Sequence, residues 1–187
     1  MTDPTNPAPA IAPKRLVSAA VALRTKGNCR NSVQELERLV SAFPSDITVR
    51  HELALSLRAA GDVVASLAML EAIVAESPEH RPSVVARIDT LLQDKRPLEA
   101  LQAAEVALAR RSGDRALRIK HAVTLRQAQR PSESIAALEV LRAADPSDIT
   151  VRHELALSLR AAGDVVASLA MLEAIVAESP EHRPSVV

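Results

Sequence analysis

Two His-Glu pairs, His51-Glu52 and His153-Glu154, open identical HELAL segments and are the first places in this chain to look for chemistry. On a helix, such a pair followed one turn later by a second histidine would hold zinc beside a general base. No second histidine follows either pair, so neither reads as a metal or catalytic site. His80, His121 and His182 stand alone in sequence. Cys29 has basic neighbours, Lys26 and Arg30, but no histidine close by, and reads as a plain surface thiol. The 4 glycines sit singly, so no phosphate-cradling loop is present. Arginine is the remaining residue type with chemistry to offer. Arg24, Arg58, Arg126 and Arg160 fall at multiples of 34 residues, and a guanidinium can grip a carboxylate with two parallel hydrogen bonds. The competing reading pairs several of these arginines with glutamates of the same helix. No catalytic residue, metal ligand or cofactor is expected.

The composition narrows the field further. Of 187 residues, 23 are Lys or Arg and 23 Asp or Glu, so the net charge is zero and a polybasic nucleic-acid binder is not expected. Phe43 is the one aromatic among Phe, Trp and Tyr, which leaves no platform for stacking bases. A chain 48% hydrophobic with no net charge is expected to fold rather than stay disordered. No apolar run reaches membrane-spanning length, and one cysteine fits a reducing compartment, so a cytoplasmic location is expected.

What must position the arginines is a repeat. Residues Pro44 to Val85 recur letter for letter as Pro146 to Val187, displaced by 102 positions, or three periods of 34. Leu23, Leu57, Leu91, Leu125 and Leu159 share one phase; Gly27, Gly61 and Gly163 share another, with Lys95 and Gln129 in the same slot. The period predicts a Pro-rich flexible tail over 1–12, units at 13–46, 47–80, 81–114, 115–148 and 149–182, and a stub at 183–187. Each unit reads as two helices. In the second unit one spans 47–60 and ends at Gly61, and Asp62 caps another over 63–76 that Ser77-Pro78 stops. Pro97 and Pro131 stand at first helical positions, where no backbone donor is lost.

A 34-residue helix–turn–helix unit with Pro44, Pro78, Pro146 and Pro180 at one phase resembles the tetratricopeptide repeat family. Small residues at unit position 8 (Ala20, Ala54, Ala122, Ala156) and position 20 (Ser32, Ser66, Ala100, Ser134, Ser168) carry the likeness. The resemblance implies an all-α fold: an α-solenoid, a right-handed superhelix of five 34-residue helix-turn-helix repeats. It also implies a concave groove lined by the first helix of each pair. The inward positions would place there Val17, Val21 and Arg24; His51, Leu55 and Arg58; Val85; Ile119, Val123 and Arg126; and His153, Leu157 and Arg160. Two specialised sites of the family are not supported. A chaperone-tail clamp would need Lys and Asn where Val17 and Val21 stand, and an asparagine ladder would need Asn where Ser18, Glu52, Ala86, Lys120 and Glu154 stand.

The expected function is a non-catalytic protein–protein interaction scaffold whose aliphatic, arginine-edged groove takes an apolar and acidic protein or peptide segment. One alternative is a recruiting or oligomerising module of a larger bacterial enzyme such as a transferase. Another is a self-assembling repeat unit, natural or engineered. Because the second identical block stops at Val187, where the first continues into ARIDTLLQ, the last helix is expected to expose apolar surface and to favour a homodimer.

Overall fold

Aspartates and glycines set the helix boundaries. Asp46 accepts from the Thr48 and Val49 amides, at 2.9 and 3.3 Å, and Asp114 and Asp148 cap their helices in the same way. Asp62 accepts from the Ala65 amide at 3.0 Å and Asp164 from the Ala167 amide at 3.0 Å. Each such bond satisfies one of the amides a helix leaves unpaired at its start. The intervening turns need a left-handed residue: Gly27, Gly61 and Gly163 sit at φ of 80°, 94° and 93°. Lys95 and Gln129 take the same conformation, at 58° and 62°, although each carries a Cβ.

A computed structural model describes Ala12 and residues 14–178. Among these are ten α-helices: α1 (Lys14–Thr25), α2 (Cys29–Ala42), α3 (Ile47–Ala60), α4 (Val63–Glu76), α5 (Arg81–Gln93), α6 (Pro97–Arg110), α7 (Arg115–Gln127), α8 (Pro131–Ala144), α9 (Ile149–Ala161) and α10 (Val165–Glu178). No strand occurs among the described residues, and the fold is an all-α solenoid of helix pairs. The tail positions 1–11 and the stub 183–187 lie outside the described residues. Ala12 is buried, and its amide donates to Asp46 Oδ2 at 2.8 Å.

The helices form two compact units, one ending at Asp94 and the other starting at Lys95. In the first, each of α1 to α4 packs on the next, and the first helices α1, α3 and α5 also touch in turn. The core joins Leu36 and Leu39 of α2 to Val49 and Leu53 of α3, over Val17 and Ala20 of α1. In the second unit, Leu138 and Leu141 of α8 meet Val151 and Leu155 of α9, over Ala122 of α7. These are the same contacts 102 residues on.

Buried serines fasten three of the helix pairs internally. Ser32 Oγ donates to the Ala20 carbonyl, Ser66 Oγ to Ala54 and Ser134 Oγ to Ala122, each at 2.7 Å. Small residues at these two unit positions let the paired helices approach closely enough for that bond.

Candidate functional site

The first helices carry a second polar network, between units of the repeat rather than within them. Arg24 leaves the end of α1 and reaches α3. Its Nη2 donates to Glu52 Oε2 at 2.7 Å, and its Nη1 to the Glu52 carbonyl at 3.1 Å and to Ser56 Oγ at 3.2 Å. Ser56 Oγ also lies 2.9 Å from Ser32 Oγ, so the arginine, glutamate and serines form one chain. In the second unit Arg126 has the same partners in a different geometry: its Nη1 donates to the Glu154 carbonyl at 3.1 Å and to Ser158 Oγ at 3.5 Å, and lies 2.8 Å from Glu154 Oε2 as an ion pair without a hydrogen bond. These arginines pair, but with a glutamate of the next first helix and not of their own.

Arg58 donates to Thr90 Oγ1 at 3.4 Å, and no carboxylate among the described residues is recorded against it. Arg160 is exposed at the end of α9. It shares an open cavity of about 420 Å³ with Arg126, Gln127, Gln129, Leu157 and Ala161. The structure thus brings two of the predicted arginines to one concavity.

The other predicted residues divide between core and face. Val17 is buried in the first core and lines no surface, because α2 and α3 close over it. Val21 and Ile119 are partly buried against the cores of their units. Leu55 packs partly against Ala54, Leu70 and Ala86. Val85, Val123 and Leu157 are half-buried.

The histidines at one register differ. His153 is 46% exposed at its side chain, 4.0 Å from Glu154. His51 is half-buried: its Nδ1 lies 2.9 Å from Ser83 Oγ, which also lies 2.8 Å from Nδ1 of His80. The two rings meet edge to face at 5.5 Å. Burial pushes the His51 imidazole below its usual pKa; Glu52 works against this, while His80, Arg24 and Arg58 add to it. Burial lowers His80 as well. One hydroxyl can serve two neutral rings, by donating to one Nδ1 and accepting from the other.

Outward from this face, Arg50 of α3 is ion-paired to Glu76 of α4, with Nη2 to Oε2 at 2.5 Å, and Arg152 is paired to Glu178 in the same register. The Arg50 hydrogen bonds hold the Glu76 carboxyl below its usual range. A second concavity of about 630 Å³ opens over α8 and α10, but its Arg142 and Arg152 are paired to Glu139 and Glu178.

Among the described residues no three His, Cys, Asp or Glu side chains are placed to hold a metal ion. No described helix is long and apolar enough to cross a membrane. The serine–arginine–glutamate chain escaped the sequence reading, although its signal is present: Ser56, Thr90, Thr124 and Ser158 put a hydroxyl at one phase of the period.

The sequence pattern of the family described as "Tetratricopeptide repeat" matches residues 17–81, 51–115 and 119–183. No curated protein matches the chain. Among solved structures, a tetratricopeptide repeat protein from Parabacteroides merdae ATCC 43184 is similar, at a TM-score of 0.79 and 20% identity over 88% of this chain. The chain spans 64% of that protein's length. A Podosopora anserina protein of nearly identical TPR-like repeats aligns at 0.75 and 22% identity, over 91% of this chain and 97% of that one. A thermophilic TPR protein from Thermus thermophilus aligns at 0.73 and 17% identity, over 91% and 93%.

Proposed function

The chain belongs to the tetratricopeptide repeat family, and we propose that it is a non-catalytic scaffold that seats a protein segment against its first helices. A protein-interaction role follows from the fold; the peptide-sized segment and its chemistry are our reading. The observation that carries it is the face itself. Leu55, Arg58 and Val85 in one unit, and Val123, Leu157 and Arg160 in the other, are left part-exposed by the cores, with a concavity beside Arg160. Part-exposed aliphatic side chains beside guanidinium groups suit an apolar segment that carries acid. The outer concavity is less suited, since its arginines already hold carboxylates. We place this activity in the cytoplasm; a longer bacterial protein using the face for recruitment would employ the same residues.

A photo-cross-linking residue at Leu55 or Leu157, set against one at Val166 on the outer side, tests the reading. Adducts with protein segments from the first two positions are expected. Adducts from Val166 alone would overturn it.

A second reading, homodimerisation, is favoured by one comparison. Leu169 of α10 is 53% exposed, whereas Leu67, its counterpart in the identical α4, is 5% exposed. We infer that a second copy covers this face. Light scattering with refractometric detection, needed because Trp and Tyr are absent, should give a mass that rises above 20.0 kDa with concentration. Leu169→Gln should hold it at one chain. A wild-type mass constant at one chain to millimolar concentration excludes the dimer.

A further inference from the structure

Three arginines of the first helices share one geometry, and one of them lacks its acid. Arg24, Arg58 and Arg126 each aim Nη1 at the hydroxyl 32 residues on: Ser56 at 3.2 Å, Thr90 at 3.4 Å and Ser158 at 3.5 Å. For Arg24 and Arg126 the residue 28 positions on is Glu52 or Glu154, and its carboxylate meets the guanidinium at 2.7 or 2.8 Å. For Arg58 that residue is Ala86. The Thr90 hydroxyl gives its proton to the Ala86 carbonyl at 2.7 Å, so towards Arg58 it can only accept. Arg58 is therefore held in the pose that grips a carboxylate, half-buried, with a methyl group where the carboxylate's own chain would stand.

We infer that the Arg58–Ala86–Thr90 notch is a receptor for a carboxylate of the bound segment, which takes the place that Glu52 and Glu154 fill beside Arg24 and Arg126. This rests on the groove reading above and adds to it the charge and register of the partner. Leu55 packs partly against the cluster that holds Ala86, and the half-buried Val85 precedes Ala86 in sequence, so the acid should come with aliphatic neighbours. Both an acidic side chain and a free C-terminus carry the required group. Ala86 and Thr90 are themselves buried, so the carboxylate would meet the half-buried Arg58 guanidinium, which would then hold an acid as Arg24 and Arg126 do.

The probes are three short peptides: Leu-Glu-Leu blocked at both ends, its Leu-Gln-Leu counterpart, and Leu-Leu-Leu with a free carboxyl end. The readout is the Arg58 side-chain N–H resonance. A saturable shift with a carboxylate peptide and none with the glutamine peptide is expected, and the peptide giving the larger shift identifies side chain or terminus as the source. Ala86→Glu supplies the missing acid from within. It should bring the Arg58 resonance to its bound position without peptide and weaken peptide binding about tenfold or more. The neutral Ala86→Gln should still bind. His51, which feels the Arg58 charge, should titrate higher in Ala86→Glu and in the peptide complex. If Ala86→Glu does not fold, Arg58→Gln, read at the Leu55 and Val85 methyl resonances, must abolish the peptide response that the same methyls show in the unsubstituted chain. Equal shifts with the glutamate and glutamine peptides, or unweakened binding by folded Ala86→Glu, would overturn the inference. Cross-linking at Leu55 and Leu157 that persists alongside such a result leaves the groove reading standing, and its loss removes both.

Discussion

At the scale of residues, one repeat register yields different chemistry according to what the next helix supplies. His51 and His153 lie in identical sequence, yet only His51 has Ser83 and His80 described against it. This makes a pH prediction. Folding lowers the pKa of His51 and His80, chiefly through burial. As the pH falls, the unfolded chain therefore takes up protons before the folded one. The stabilisation is complete above the unfolded value of about 6.5 and is lost as the pH falls through the folded values. Protonation also sets two cations side by side among Arg24 and Arg58, with Glu52 as the opposing charge. Burial lowers His121 too, so the second unit should weaken in acid, through one such described histidine rather than two. Thermal unfolding at pH 7.5 and 5.5 should show a fall in Tm that His51→Gln/His80→Gln reduces. A fall unchanged by the double substitution would mean that the pair plays no part.

At the scale of elements, much of the helical punctuation could be read directly. Gly61 and Asp62 alone locate the break between α3 (Ile47–Ala60) and α4 (Val63–Glu76), because a left-handed cap and a side-chain acceptor are local requirements. The Arg24–Glu52 pair was harder to see. Its partners are 28 residues apart, and only the packed first helices bring them together. No glutamate stands three or four residues from Arg24, so i, i+4 spacing offers it no same-helix partner. The turn slot gives this scale its prediction. Lys95 and Gln129 adopt the positive φ that glycine takes at 27, 61 and 163, at a torsional cost of about 1–2 kcal/mol for an L-residue. Glycine removes that cost but gives the unfolded chain more freedom, worth about 0.5–1 kcal/mol. Lys95→Gly and Gln129→Gly should each stabilise by roughly 0.5–1 kcal/mol in chemical denaturation, as the difference between these terms. Gly61→Ala, whose new Cβ would meet nothing within 4 Å, should destabilise by roughly 0.5–1 kcal/mol, the torsional cost less the freedom it removes from the unfolded chain.

At the scale of the whole molecule, the identical blocks are an internal control on how much structure depends on neighbours. In the first unit α5 packs on α4, and Leu67, Leu70 and Ile73 are buried. The same sequence in α10 has α9 as its packing neighbour among the described helices, and there Leu169 is 53% exposed. Ser66 Oγ bonds to the Ala54 carbonyl, whereas Ser168 Oγ is buried without a partner. Fully burying one leucine is worth about 1.5–3 kcal/mol. If that cover stabilises α4 locally, its amides should exchange roughly ten- to a hundredfold more slowly than those of α10. Peptide-level mass measurements cannot test this, because the two copies release identical fragments. Residue-resolved NMR on a chain labelled in one block can. Equal protection in dilute solution would show that α5 adds nothing to α4. Protection of α10 that rises with concentration towards that of α4 would show a second chain taking the place on α10 that α5 takes on α4. The contrast then measures what a neighbouring helix contributes when the sequence is held constant.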